Sequence, residues 1–373
     1  MTAPAEPTFA IVTGGGTAGH VLPALAIAEA LVAAGHPRSS IHYAGSDRGI
    51  ESRLVPPTGF PMTLLPGRGI QRRLTLANVG AVWGLVVAAA RAVRLVGRLQ
   101  PSVVIAVGGY ASIAVGLAAV LRRVPLVVAE QNAAPGAANR LLARFAKASA
   151  VSFADTPLRH AVVTGNPIRP EIVAIDRGRD RDAARRALGA GEGRRVVLVV
   201  GGSLGALRIN QAVLAALPAW RDRADLAVHH VVGVRDWEAI SGAVPAELGE
   251  LQYRAVRYED DMPTALAAAD VAVCRSGSST CFELAAVGLP AVLVPSPYVT
   301  ADQQTHNARR LVDAGAAVLV PDADLDGARV VAEVDGLLAD PTRHAAMSQA
   351  ARAWARPDAA AAIAALAEDK ARG

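Results

Sequence analysis

One unit constrains this chain more than any other, and it occurs twice. It is a run of β-branched residues, a glycine-rich turn and then an alanine- and leucine-rich helical stretch. The first copy reads Phe9-Ala10-Ile11-Val12, Gly14-Gly15-Gly16-Thr17-Ala18-Gly19 and a helix over residues 21–34. The second reads Val196-Val197-Leu198-Val199-Val200, Gly201-Gly202-Ser203-Leu204-Gly205 and a helix from about Ile209. A strand that is apolar along its whole length needs cover on both faces, and a crossover helix returns the chain parallel to the strand it left. Further runs at residues 40–44, 103–107 and 126–129 extend the first series. Runs at 228–232, 271–273 and 291–294 extend the second. The expected fold is therefore α/β, with two doubly wound, Rossmann-like parallel-sheet domains facing one another across a cleft. Residues 176–195 are charged and carry no strand pattern, which puts the boundary near 168–176. The expected domains are 1–170 and 171–352, with a C-terminal helix at about 353–373 able to pack back on the first.

Composition agrees with this and excludes other classes. A chain of 373 residues, 52% hydrophobic and 19% charged, has enough apolar surface for two cores and is not disordered. Thirty-eight basic against 33 acidic residues leave a net charge of +5. The basic runs are short and aromatics make up only 4%, so no nucleic-acid partner is expected. Anionic small molecules or an anionic membrane surface account for the excess. Cys274 and Cys281 are too few for a disulfide framework or a zinc site, so they read as reduced thiols and no metal is expected. The first residues lack the pattern of a signal peptide. Residues 79–90 are too short to span a bilayer, and 102–121 break at Gly108-Gly109 into strand, turn and helix.

Several stretches can carry chemistry. The first glycine loop can bring amides and a helix start up to an anionic group, or simply be a tight turn. It is not a Walker loop, because no Gly-Lys-Ser/Thr follows. The next strand ends Tyr43-Ala44-Gly45-Ser46 without an acidic ribose ligand, which weakens a dinucleotide reading. Ser203 in the second loop can cap a helix, hold a diphosphate oxygen, or both. In the stretch 274–283, Glu283 can accept from a ribose diol or complement a helix start. Gln303 and Gln304 offer amides suited to sugar hydroxyls, or are exposed helix-start residues. Glu130-Gln131-Asn132 stands at a strand's carboxyl end, where such folds place ligands. Arg169 stands at the domain junction, placed either to reach a phosphate or to face solvent. Residues 76–99 form a helix with Val79, Val82, Trp83, Val86 and Val93 recurring on one side and Arg91, Arg94 and Arg98 on a stripe. Arg68, Arg72 and Arg73 precede it. Such a helix can lie on an anionic bilayer or pack on its own sheet.

In order and setting, these motifs resemble the MurG family. The matching set is Gly15-Gly16-Thr17-Ala18-Gly19-His20, Gly108-Gly109-Tyr110, Glu130-Gln131-Asn132, Gly165-Asn166-Pro167-Ile168-Arg169, Gly201-Gly202-Ser203, Cys274-Arg275-Ser276-Gly277, Glu283 and Asp302-Gln303-Gln304. The resemblance spans nearly the whole chain. It implies a two-domain GT-B fold and an inverting, metal-independent transfer of GlcNAc from UDP-GlcNAc to the C4 hydroxyl of muramoyl-pentapeptide. The acceptor would be the lipid-linked lipid I and the product lipid II, made at the cytoplasmic face of the membrane with no cofactor. It implies that Thr17, Ala18 and Gly19 contact phosphate and sugar, Asn132 the donor sugar and Arg169 the nucleotide. Ser203 would hold the diphosphate, Glu283 the ribose, and Gln303 with Gln304 the GlcNAc hydroxyls, while residues around Glu259 would line the uracil pocket. Arg72, Arg73, Trp83, Val86 and Arg91 would form a membrane-docking face. The chain departs from the family pattern in four places: Ala18 replaces a glycine, Ala129 a histidine and Leu204 a glutamine, and Pro297-Tyr298-Val299-Thr300 before Asp302 lacks the usual histidine and charge. With Ala129 in place of one candidate base, His20 is the expected general base. The alternatives are another GT-B glycosyltransferase or a UDP-GlcNAc epimerase and, from a different class, a non-catalytic nucleotide-sugar-binding module.

Overall fold

The computed structural model describes residues 7–47, 49–66, 77–202 and 205–372, with backbone alone for 77–86 and 300. The chain divides into two compact units. One comprises residues 1–169 with 356–373, and the other 170–355.

In the first unit, seven strands are all parallel: β1 (Ala10–Gly14), β2 (Ile41–Ser46), β3 (Met62–Leu65), β4 (Val103–Gly108), β5 (Leu126–Glu130), β6 (Ala148–Val151) and β7 (Ala161–Val163). Their order is β3-β2-β1-β4-β5-β6-β7. Alternate residues of the central strands feed two apolar layers. Val12, Ile105 and Val127 enter one with Val21 and Ile27 of the helix Ala18–Ala33. Ile11, Val104 and Val128 enter the other with Ala88, Ala92, Leu95 and Val96 of the helix Ala77–Leu99. The C-terminal helix Ala359–Lys370 belongs to this unit, burying Ile363, Ala364 and Ala367 in the first layer. Those three residues share one face at helical spacing.

The second unit has six parallel strands: β8 (Arg195–Val200), β9 (Leu226–Val231), β10 (Gln252–Val256), β11 (Val271–Cys274), β12 (Ala291–Leu293) and β13 (Ala317–Leu319). Their order is β10-β9-β8-β11-β12-β13. Both sheets thus reverse winding beside the strand that feeds a glycine loop, at β1/β4 and at β8/β11. In open parallel sheets that reversal is where the strand ends part and leave a crevice. Two doubly wound domains are therefore present, as the repeated unit predicts. No helix among the described residues is long and apolar enough to cross a membrane.

Candidate functional site

In the first unit the reversal point is built by backbone approach. Gly15 N donates to Gly108 O at 3.2 Å, joining the turns after β1 and β4. A Cβ on Gly109 would lie 2.3 Å from Gly15 O, and Gly109 sits at φ +85°, so only glycine fits there. Tyr43 Oη donates to Gly14 O at 2.6 Å, and the Ser112 hydroxyl stands 2.7 Å from Gly108 O and 2.8 Å from Thr13 O. The Gly15, Tyr43 and Ser112–Thr13 contacts tie the end of β1 to neighbouring elements.

Thr17 is the N-cap residue of the helix Ala18–Ala33 but caps nothing with its side chain. Its Oγ1 lies 3.3 Å from His20 Nδ1. Ala18 begins the helix, and the positive φ of this loop falls on Gly16 at +92°. The methyl of Ala18 is therefore accommodated without strain. His20 is half-buried with its ring against Gly108, where a Cβ would stand 2.8 Å from Cδ2. Desolvation holds its pKa below the usual 6.5, opposed by the Glu51 charge and the Gly15 backbone. A neutral imidazole beside an exposed loop of amides is able to accept a proton.

Sequence reasoning missed Glu51. It is fully buried, and its Oε1 accepts from Gly16 N at 3.0 Å and Ser46 N at 2.9 Å. Among the described residues its Oε2 is buried without a hydrogen-bond partner. Gly15, Gly45 and Gly49 surround it, and a Cβ on Gly49 would come within 1.7 Å of Oε2. The carboxylate thus anchors the first glycine loop from behind.

Asn132 is oriented in a similar way by Glu130. That buried carboxylate accepts from Asn132 N (2.9 Å), Asn132 Nδ2 (3.2 Å), Gly136 N (3.0 Å) and Asn139 Nδ2 (2.9 Å). Burial raises its pKa despite these bonds. Arg169 is half-buried and ends the first unit's main segment.

The second unit has a cavity of about 920 Å³ at the carboxyl edge of its sheet. Gly201, Gly202, Gly277, Thr280, Ser296 and Gln304 are among the residues that line it. The helices Leu207–Trp220 and Ser278–Val287 both begin at this cavity, directing amino-terminal dipoles towards it. Gln304 Oε1 accepts from Ser296 N at 2.8 Å, which fixes the amide, and Gln304 O accepts from the Ser276 hydroxyl at 2.8 Å. Glu283 and Gln303 are half-buried and do not line the cavity, and Ser203 lies outside the described residues. Ala301 (φ +53°) and Asp302 (φ +48°) are both left-handed. Two such non-glycine residues in a row store strain at the start of the helix carrying Gln303 and Gln304. Near the end of β10, Glu259 pairs with His229 Nε2 at 2.7 Å and accepts from Asp261 N at 2.9 Å. Burial pushes the Cys274 thiol up to about 12, with Glu283 adding to the shift, so that thiol stays protonated.

Of the docking residues expected from sequence, Arg72 and Arg73 lie outside the described residues. Trp83 and Val86 lie in the helix Ala77–Leu99 where only backbone is described. Arg91, Arg94 and Arg98 are exposed on that helix, while its Ala88, Ala92, Leu95 and Val96 are buried against the sheet. On the neighbouring helix Tyr110–Leu121, Leu117 and Leu121 are 40% and 68% exposed, and Phe145 is 51% exposed. Arg122, Arg123, Arg144 and Lys147 are exposed beside them in sequence.

The glycosyltransferase family 28 N-terminal domain matches residues 10–151, and the glycosyltransferase family 28 C-terminal domain matches residues 196–363. A Salinibacter ruber protein is 44% identical over 359 residues, covering 95% of this chain and 94% of its own. It is named UDP-N-acetylglucosamine–N-acetylmuramyl-(pentapeptide) pyrophosphoryl-undecaprenol N-acetylglucosamine transferase. A Nocardioides protein of the same name is 44% identical over 352 residues, 94% of each chain. The crystal structure of Acinetobacter baumannii MurG superposes with a TM-score of 0.75 at 28% identity, over 97% of this chain and all of that one. A Neisseria meningitidis UDP-GlcNAc 2-epimerase bound to UDP-GlcNAc shares the fold, with a TM-score of 0.69 at 13% identity over 96% of this chain and all of that one.

Proposed function

This chain belongs to the MurG family of N-acetylglucosamine transferases, and on that premise we propose that it moves GlcNAc from UDP-GlcNAc to lipid I. The observation that carries the reading is the cavity at the carboxyl edge of the second sheet, in a chain 44% identical to named transferases over nearly full length. Helix starts and glycine turns meet there, a setting for a diphosphate that leaves with negative charge. In this reading Ser203 and the second glycine loop hold the diphosphate and Arg169 serves the nucleotide. Glu283 takes the ribose diol, and Gln303 and Gln304 take GlcNAc hydroxyls. Thr17, Ala18 and Gly19 contact phosphate and sugar, and Asn132 contacts the donor sugar. The acceptor's C4 hydroxyl attacks the anomeric carbon on the face opposite UDP, so the bond to UDP breaks as the new bond forms and the configuration inverts. His20 takes the hydroxyl proton.

The test is UDP release from UDP-GlcNAc with and without a short-chain lipid I analogue. Release should require the acceptor, and UDP-GalNAc should be a poor donor, because an epimer leaves hydrogen-bonding groups of the site unpaired. Turnover of UDP-GlcNAc without acceptor would replace this reading with an epimerase or hydrolase.

The acceptor is lipid-linked, so the enzyme works at the cytoplasmic surface of the membrane as a peripheral protein. The docking face combines Arg72, Arg73, Trp83, Val86 and Arg91 with the exposed Arg94, Arg98, Leu117 and Leu121. Each basic side chain at an anionic surface contributes about 1 kcal/mol. Replacing Arg91, Arg94 and Arg98 together with Ser should weaken binding to phosphatidylglycerol vesicles by roughly two orders of magnitude. Turnover on a water-soluble acceptor should change little. A triple variant that sediments with vesicles as the parent does would move the docking face elsewhere.

A further inference from the structure

A second cavity, of about 540 Å³, opens in the second unit at the edge of its sheet opposite the donor cavity. Arg195, the first residue of β8, lines it, as does Asp270, which immediately precedes β11. Its walls come from two helices. Arg177, Arg181 and Arg185 stand four residues apart on the helix Arg177–Ala187, while His344, Ser348 and Arg352 stand four apart on Pro341–Trp354. Spacing of four residues puts each trio on one helix face. Five guanidinium groups therefore converge on a space that holds one carboxylate.

Partners account for only part of this charge. Arg185 pairs with Asp270 and donates to Ala268 O at 3.1 Å. Asp270 also accepts from Val196 N at 2.7 Å. Arg177 is 3% exposed and donates to Gly288 O at 2.9 Å and to Ala269 O, while its Nε is buried with no hydrogen-bond partner. Arg181 reaches Asp270 only at 3.9 Å, and its Nε is likewise unpartnered. Arg352 lies over Gly288, where a Cβ would stand 2.7 Å from its Nε, and its guanidinium makes no hydrogen bond or ion pair among the described residues. Burial pushes Arg177 down to about 10, and the Arg181, Arg352 and Arg185 charges push the same way against Asp270. Like charges held this close destabilise the unit that contains them, and an anion entering the cavity removes that repulsion.

We propose that the cavity between the helices Arg177–Ala187 and Pro341–Trp354 is a binding site for a phosphoryl group, separate from the donor site. The ligand class is inorganic phosphate or a small phosphorylated metabolite. Guanidinium forks match phosphoryl oxygens in pairs, which favours this class over a simple halide. Arg177 and Arg185 form the fixed floor, held by main-chain carbonyls and Asp270, and Arg181 and Arg352 are free to close on the ligand.

The test is thermal unfolding of the full chain in chloride buffer, with inorganic phosphate or glucose 1-phosphate added at matched ionic strength. The parent's midpoint should rise saturably, by about 2–5 °C at ten times Kd. The double variant Arg181→Ser/Arg352→Ser should melt no lower than the parent without ligand, because repulsion is relieved, and should lose the response. Arg181→Lys should retain most of it. A response to phosphate alone identifies the free ion as the ligand, and a larger one to the sugar phosphate identifies the metabolite. A double variant that melts below the parent, or responds to either anion as the parent does, overturns the proposal. The first result makes the arginines structural braces, and the second places the binding elsewhere. Neither readout depends on transferase activity, so the site stands or falls apart from the proposed function.

Discussion

Replacing His20 with Ala should lower kcat by about 10²–10⁴-fold while UDP binding is nearly unchanged, the range expected for loss of a positioned general base. The imidazole lies against Gly108 with Nδ1 3.3 Å from Thr17 Oγ1. Desolvation keeps its pKa below 6.5, so the ring is neutral at pH 7 and able to accept the acceptor's proton. The sign follows directly. As pH falls through that lowered pKa the ring is protonated and cannot act as base, so kcat/KM should decline on the acid side and be flat above about 6.5. His20→Gln, which retains polarity but not basicity at this pH, should be nearly as slow as the alanine variant. If either variant loses only a few-fold and keeps the acid limb, His20 packs the loop and another group takes the proton.

Glu51→Ala should be the most damaging single change behind the first loop. It leaves Ser46 N without its acceptor in a buried position, and Gly16 N without one in an exposed turn. A buried unsatisfied amide costs about 1–3 kcal/mol, while Gly16 N can be hydrated, so urea unfolding should show the first unit destabilised by roughly 1–3 kcal/mol. Misplacement of the loop by an ångström should cost a further factor of about 10² in kcat/KM. Glu51→Gln should recover most of both losses, because one oxygen accepts both bonds and an amide oxygen can replace it. An alanine variant with the parent's stability and kcat/KM would show that the loop holds its shape without the carboxylate.

The legible part of this molecule was what burial writes into composition. Central strands such as Val103–Gly108 and Arg195–Val200 are covered on both faces, so residues 103–107 and 196–199 form unbroken apolar runs. Edge strands escaped notice because they are short and covered unevenly. Ala161–Val163 is exposed throughout, and Gln252–Val256 mixes half-buried with exposed positions. Both glycine loops were visible, since a Cβ on Gly14 would lie 2.9 Å from His20 O and one on Gly201 2.4 Å from Ala206 N, which excludes side chains there. Glu51 was not visible. It sits in Asp47-Arg48-Gly49-Ile50-Glu51-Ser52-Arg53, which reads as a solvated charged stretch, and the only clue was the nearby glycines that make room for it. The left-handed pair Ala301-Asp302 carries no glycine to announce it. The arginine cavity was not legible: residues 176–195 read only as a charged stretch, and the convergence of Arg177, Arg181 and Arg185 with Arg352 depends on tertiary packing.

The central claim is a sugar transfer with a defined product. The most direct measurement is to incubate the purified protein with UDP-GlcNAc and a short-chain lipid I analogue, isolate the product and determine its mass and anomeric linkage by mass spectrometry and NMR. The account predicts one added N-acetylhexosamine per acceptor, joined to the muramoyl C4 oxygen in the β configuration. An unmodified acceptor, a different attachment position or an α linkage would contradict it.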